Sequence, residues 1–286
     1  MDSFRARSAL AVSLLCAACQ PERGPLLPII DVHTHTDFDG LPERTSGIPH
    51  TRDELLRQMR AAGVVGAVAH TKPDGAGYVD LRGEHVMHCA GVAAAVDVQR
   101  VESGLRAGRY GCIKIYLGYE HQFAASPAYE PAYALAEKYD VPVVFHTGDT
   151  YSTKGKLKYA DPLTIDEVAV DHPRVRFVIA HCGNPWIESA AEVAYKNPNV
   201  YLDGSALLIG KLNDQSREKV DTYMVRPLSW IFGYMDDPTK LLFGTDWPLT
   251  DIPSYAEVFR RAIPYKHWRA VFHDNAARVF KMKVAR

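Results

Sequence analysis

The stretch PIIDVHTHTDF, residues 28–38, sets two histidines one residue apart at the end of an apolar run. In an extended strand residues i and i+2 point to the same side, so His33 and His35 project together where the strand leaves the core. Alone, the HxH pattern is a weak signal for a metal. What surrounds it decides the reading.

Downstream, apolar runs alternate with amphipathic ones. VVGAVAH, HVMHCAGVAA, CIKIYLG, VPVVFHTGD, VRFVIAHCGN, NVYLDGSA and KLLFGTDWP read as strands, which with the first run makes eight. Their near-continuous apolar character is that of parallel strands covered on both faces. Helices are expected between them. TRDELLRQMRAAG carries a capping-box pattern, Thr51 with Glu54, and so does TIDEVAVDHP, Thr164 with Glu167. The helix in SREKVDTYMVRPLSWIFGYM is expected to bend near Pro227. Eight β-then-α units in this length predict an α/β fold, a distorted (β/α)8 TIM barrel over residues 28–286 as one domain. An open doubly wound sheet is less favoured, because no GxGxxG follows the first strand.

Several strands end on an ionisable residue. His146 closes VVFH, His181 closes VIAH, Asp246 follows LLFGT and Lys114 lies inside CIKIY. In a barrel the carboxyl ends of the strands form the active-site face. Burying such groups is costly unless each is paired or bound to a cation. Imidazole nitrogen with carboxylate oxygen is a donor set suited to Zn2+. His70 ends the second strand and could reach the pocket, but capping or the surface is the preferred assignment. His50, His85, His88, His121, His172, His267 and His273 are taken as structural or solvent-facing. Tyr116, Tyr119, Asp149, Asn184, Trp186 and Trp247 follow strand ends and are candidates to line the mouth and touch substrate.

The 286 residues are 47% hydrophobic and 23% charged, with a formal net charge of −1. That composition suits a water-soluble globular protein with an ample core. It lacks the basic footprint of a nucleic-acid binder. Residues 1–19 read as a signal or lipoprotein leader: Arg5 and Arg7 precede an apolar stretch, and CAAC offers Cys19 for a lipid anchor. Residues 20–27 then form a linker. The apolar stretch is too short for a membrane span. A cleaved leader makes the protein periplasmic or a membrane-anchored lipoprotein; without cleavage it is cytoplasmic. Cys89, Cys112 and Cys182 lack CxxC spacing and are expected as buried free thiols. Homo-oligomers are compatible with this sequence.

The motifs DVHTH, CIKIY, VVFHTGD, IAHCGN, VYLDGS, LLFGTDWP and HDNAARVF, in this order, resemble the amidohydrolase superfamily, specifically its amidohydrolase-2 branch. The resemblance spans about residues 28–283. It implies a metal centre at the barrel mouth, with His33, His35, His146 and Asp246 as ligands. His181 matches a histidine that either binds a second metal or stays free for proton transfer. Lys114 matches a lysine that in some relatives is carboxylated between two metals and in others meets substrate. One Zn2+ is preferred over two, with Mn2+ as the alternative ion.

The chemistry implied is hydrolysis of an amide, ester or lactone bond in a small molecule, with Asp246, His181 and Lys114 as catalytic residues. Two alternatives stand beside it. One is non-oxidative decarboxylation of the aminocarboxymuconate-semialdehyde decarboxylase type, with Lys114 or Arg44 holding a substrate carboxylate. The other is a metal-stabilised binding protein without turnover.

Overall fold

The apolar runs become strands in a computed structural model that describes residues 27–76 and 78–284. They are β1 (Ile29–Thr34), β2 (Val64–His70), β3 (Val86–Val92), β4 (Cys112–Tyr116), β5 (Val143–His146), β6 (Phe177–Ile179), β7 (Val200–Asp203) and β8 (Leu241–Leu242). Each pairs in parallel with the next, in chain order. Backbone bonds close the ring between its ends: Val32 N–H donates to Phe243 O, Asp246 N–H to His33 O and His35 N–H to Trp247 O. This is the eight-stranded TIM barrel that the alternating pattern predicts.

Alternation along each strand divides the core in two. Ile29, Ala67, Ile113, Phe145, Phe177 and Leu202 face the surrounding helices. Val32, Val68, Cys89, Val144, Val178 and Leu242 fill the barrel, where Val279 and Phe280 of the C-terminal segment pack against them. Asn275 Nδ2 donates to Pro238 O and Leu241 O, so this segment sits at the amino ends of the strands. The opposite face is left to the loops that follow the strands.

Three local expectations change. Thr51 caps its helix, accepting from Glu54 N–H, but the Thr164 hydroxyl accepts from Ala124 N–H across the fold and caps nothing. The run KLLFGTDWP yields only a two-residue strand: Phe243 N–H goes to Val271 O and Thr245 N–H to the Asp31 carboxylate, and Asp246 follows at φ 67. Cys89 and Cys112 are not free thiols: they are register partners on β3 and β4 and form a disulfide. Sequence spacing cannot show that register. Cys182 is free and buried, as expected. The bend near Pro227 takes the form of a π turn, Asp221–Val225, just before the helix Arg226–Met235.

The leader of residues 1–19, with Cys19, lies outside the described residues. Among those described, no helix is long and apolar enough to cross a membrane.

Candidate metal centre

His33 and His35 reach the mouth because β1 shifts register between Asp31 and Thr34. Asp31, fully buried, holds that irregular end: its carboxylate accepts from His33 N–H, Thr245 N–H and the Thr245 hydroxyl. One carboxylate thus ties the strand carrying both histidines to the turn carrying Asp246. Burial pushes the Asp31 carboxyl up to about 7, against the pull of those donors.

Asp246 and His181 leave their strands in the left-handed backbone region, at φ 67 and φ 60. Non-glycine residues enter that region at a cost that surrounding contacts must offset, and functional sites are where such residues gather. His33, His181 and Asp246 bring ligand atoms within 4.8 Å of one another. His35 Nε2 lies 3.0 Å from Asp246 Oδ1, and His146 Nδ1 lies 3.2 Å from His181 Nε2. Lys114, fully buried, places Nζ 3.5 Å from His33 Nε2.

The hydrogen bonds fix which nitrogens carry protons. His33 Nδ1 donates to Asp203 Oδ2 at 2.5 Å, leaving a lone pair on Nε2. His146 Nε2 donates to the carbonyl of Asp149, leaving one on Nδ1. The Ser205 hydroxyl donates to Asp203 Oδ2 and so accepts from His181 Nδ1, leaving one on Nε2. The lone pairs of His146 and His181 therefore face each other at 3.2 Å with no proton between them. Asp246 Oδ1 is buried and takes no aligned hydrogen bond among the described residues, although His35 Nε2 stands 3.0 Å away. Three imidazole lone pairs and an orphaned carboxylate oxygen are a cation's donor set. The residues fit a metal.

The electrostatics agree. Burial drives His33 and His146 well below the ordinary histidine range, and nearby Lys114 and His181 add to this. Burial also brings His181 down to about 4, despite Asp246. Neutral imidazoles are the ligating form. Burial alone would raise Asp246, but the adjoining His35, the His181 imidazole and Lys114 outweigh it and hold the carboxyl well below the usual range. Burial lowers Lys114 to about 8.

A cavity of about 200 Å3 opens onto His146, His181 and Asp246. Asp149 and Tyr151 reach it from the loop after β5, Asn184 from the loop after β6, and an aliphatic strip from the loops after β7 and β8. Gly210 N–H donates to Leu249 O and binds those last two loops together. Gly148 has φ 79, and a Cβ there would lie 2.1 Å from Asn184 O, so only glycine lets these loops meet.

Of the mouth candidates, Asp149 and Asn184 line this cavity. Tyr116 stacks on His146 with ring centroids 6.1 Å apart and donates its hydroxyl to Thr71 O. Trp247 does not face the cavity. It is fully buried between Phe38 and His50, since its backbone closes the barrel seam. Trp186 precedes the helix Ile187–Lys196, half-buried and off the cavity wall.

Asp203 and Ser205 escape sequence reasoning. His70 is buried, its ring 4.1 Å from that of His33, rather than a surface or capping group. Asp203 ends the apolar run VYL, the same pattern that marks His146 and His181, and that pattern could have found it.

Eight parallel strands with imidazoles and a carboxylate gathered at their carboxyl ends define a barrel enzyme with a metal-type centre. The family model described as Amidohydrolase matches residues 30–282, and the chain belongs to that family of enzymes. No curated protein matches the chain by sequence. Among solved structures, an uncharacterized TIM-barrel protein from Bordetella bronchiseptica shares 19% identity and a TM-score of 0.67, over 90% of this chain and 99% of that one. A probable 2-pyrone-4,6-dicarboxylic acid hydrolase from Acinetobacter baumannii shares 15% identity and a TM-score of 0.63, over 88% and 99%. A 5-carboxyvanillate decarboxylase from Sphingomonas paucimobilis shares 11% and a TM-score of 0.59, over 90% and 100%. At these identities the likeness is one of fold.

Proposed function

We propose that this protein is a metal-dependent hydrolase that cleaves an amide, ester or lactone bond of a small molecule. The observation that carries the reading is Asp246: a buried, ionised carboxylate with an orphaned oxygen, set among imidazole lone pairs and facing a cavity. His33, His146, His181 and Asp246, with His35 beside them, would hold one divalent cation, Zn2+ before Mn2+. Such a cation supplies Lewis acidity and makes water a nucleophile at neutral pH.

Asp246 takes a proton from the attacking water and returns it to the leaving oxygen or nitrogen as the C–O or C–N bond breaks. His181, neutral and pinned through Nδ1 by Ser205, lines the cavity beside it and keeps Nε2 aimed at the centre. Asp203 fixes the rotation of His33 through its short hydrogen bond. Lys114 contributes positive charge from within the barrel. We also propose export, on the leader read in residues 1–19 and on the β3–β4 disulfide, which suits an oxidising compartment.

Decarboxylation is the second reading, supported by the fully buried Lys114 cation against His33 and by a decarboxylase sharing this fold. Turnover in 18O-labelled water separates the two. Hydrolysis places the label in the product acid, and Asp246→Asn lowers kcat by about 100-fold or more. Carbon dioxide release without label uptake overturns hydrolysis.

A further inference from the structure

The cavity beside Asp246 has a composition that selects substrates. Leu207, Leu208 and Ile209 follow β7 and Leu249 follows β8, so aliphatic side chains make much of its wall. Its ionisable lining consists of His146, His181, Asp246, Asp149 and Tyr151. Asp149 is exposed at the mouth, with no ion-pair partner among the described residues. No lysine or arginine lines it among the described residues: Lys114 is fully buried against His33, and Lys72 pairs with Asp37 at 2.7 Å. With Asp246 committed to the cation, a carboxylate on the arm would still lose water to the aliphatic walls and meet the Asp149 carboxylate at the mouth. An alkyl or ammonium-bearing arm would meet the opposite conditions. At about 200 Å3 the space is smaller than the roughly 300–1,000 Å3 of drug-sized pockets, so the arm is short.

We propose that the substrate presents to this cavity a short aliphatic arm that is uncharged or ends in an ammonium group, and that it carries no carboxylate there. This assignment rests on the metal-centre reading for where the reacting carbonyl sits, and it names the part of the substrate that reading leaves open.

The test uses the enzyme as purified with its metal, and three unreactive probes: hexanohydroxamic acid, its ω-amino analogue and its ω-carboxyl analogue. Calorimetric titration is expected to show the first two binding at least about ten-fold more tightly than the third. Asp149→Asn is expected to narrow the gap between the amino and carboxyl members. Leu208→Arg is expected to favour the carboxyl member.

Equal affinities, a preference of the native enzyme for the carboxyl analogue, or no binding by all three overturns the assignment. The matched ester series separates this outcome from that of the hydrolysis reading. Binding in the expected order without turnover of any ester, amide or lactone removes hydrolysis and leaves the arm assigned. Turnover with the ω-carboxyl ester preferred removes the arm and leaves hydrolysis.

Discussion

His33 Nδ1 and Asp203 Oδ2 meet at 2.5 Å across the barrel, 170 residues apart in sequence and both buried. The same carboxylate accepts from Ser205, which accepts in turn from His181. One acid thus sets the orientation of two candidate ligands. Asp203→Asn preserves shape but offers an amide where an acceptor is needed. Metal affinity is expected to fall about 10–100-fold, the usual effect of losing such a partner. Competition with a chelator measures it, and an unchanged affinity would remove Asp203 from this role.

Gly244 makes room for that pair. A Cβ there would stand 2.3 Å from Asp203 Oδ1 and 3.2 Å from His33 Cβ. Gly244→Ala is expected to destabilise the fold by about 1–3 kcal/mol through overpacking and to weaken metal binding in the same direction as Asp203→Asn. Gly83, with nothing within 4 Å of an added Cβ, is the control, and Gly83→Ala should stay within about 0.5 kcal/mol. Denaturant titration of both variants decides it.

His88 lies away from the centre and couples stability to pH. Leu81 N–H donates to its Nε2, which therefore needs the neutral ring. Burial lowers its pKa from 6.5 to about 4. The unfolded chain then binds the proton more readily, so stability is lost as pH falls from 6.5 and the loss is complete near 4. The difference corresponds to roughly 3 kcal/mol at most. A His88→Gln variant should show a shallower slope of unfolding free energy across that window; an unaltered slope would assign the dependence to other groups.

The β3–β4 disulfide predicts a labelling pattern. In denaturant without reductant, Cys182 should react with an alkylating agent while Cys89 and Cys112 do not; all three should react after reduction. The bridge closes a separation of 23 residues, and its loss is expected to cost about 3 kcal/mol on the chain-entropy account. Peptide mass spectrometry reads the pattern directly.

Strand positions were legible because buried parallel strands need unbroken apolar runs, and each such run became a strand. His33, His35, His146, His181 and Asp246 stand out in the sequence because several ionisable residues ending such runs are costly to bury unless paired, and the fold brings them together. The length of β8 was hidden, since tertiary bonds divert its backbone, Phe243 N–H to Val271 O and Thr245 N–H to Asp31. The disulfide was hidden because it depends on strand register, and the placement of Trp247 because its backbone serves the seam. For His70 the pocket was the less favoured of two places, because only the folded chain brings the His33 ring against it.

The seam of the barrel runs through its reactive centre. Asp31 bonds to Thr245 across 214 residues of chain, and Asp246 hangs its amide on His33. A nascent polypeptide therefore lacks the gathered side chains until the β8 turn has left the ribosome and met β1. Any cation held there would have to wait for that meeting.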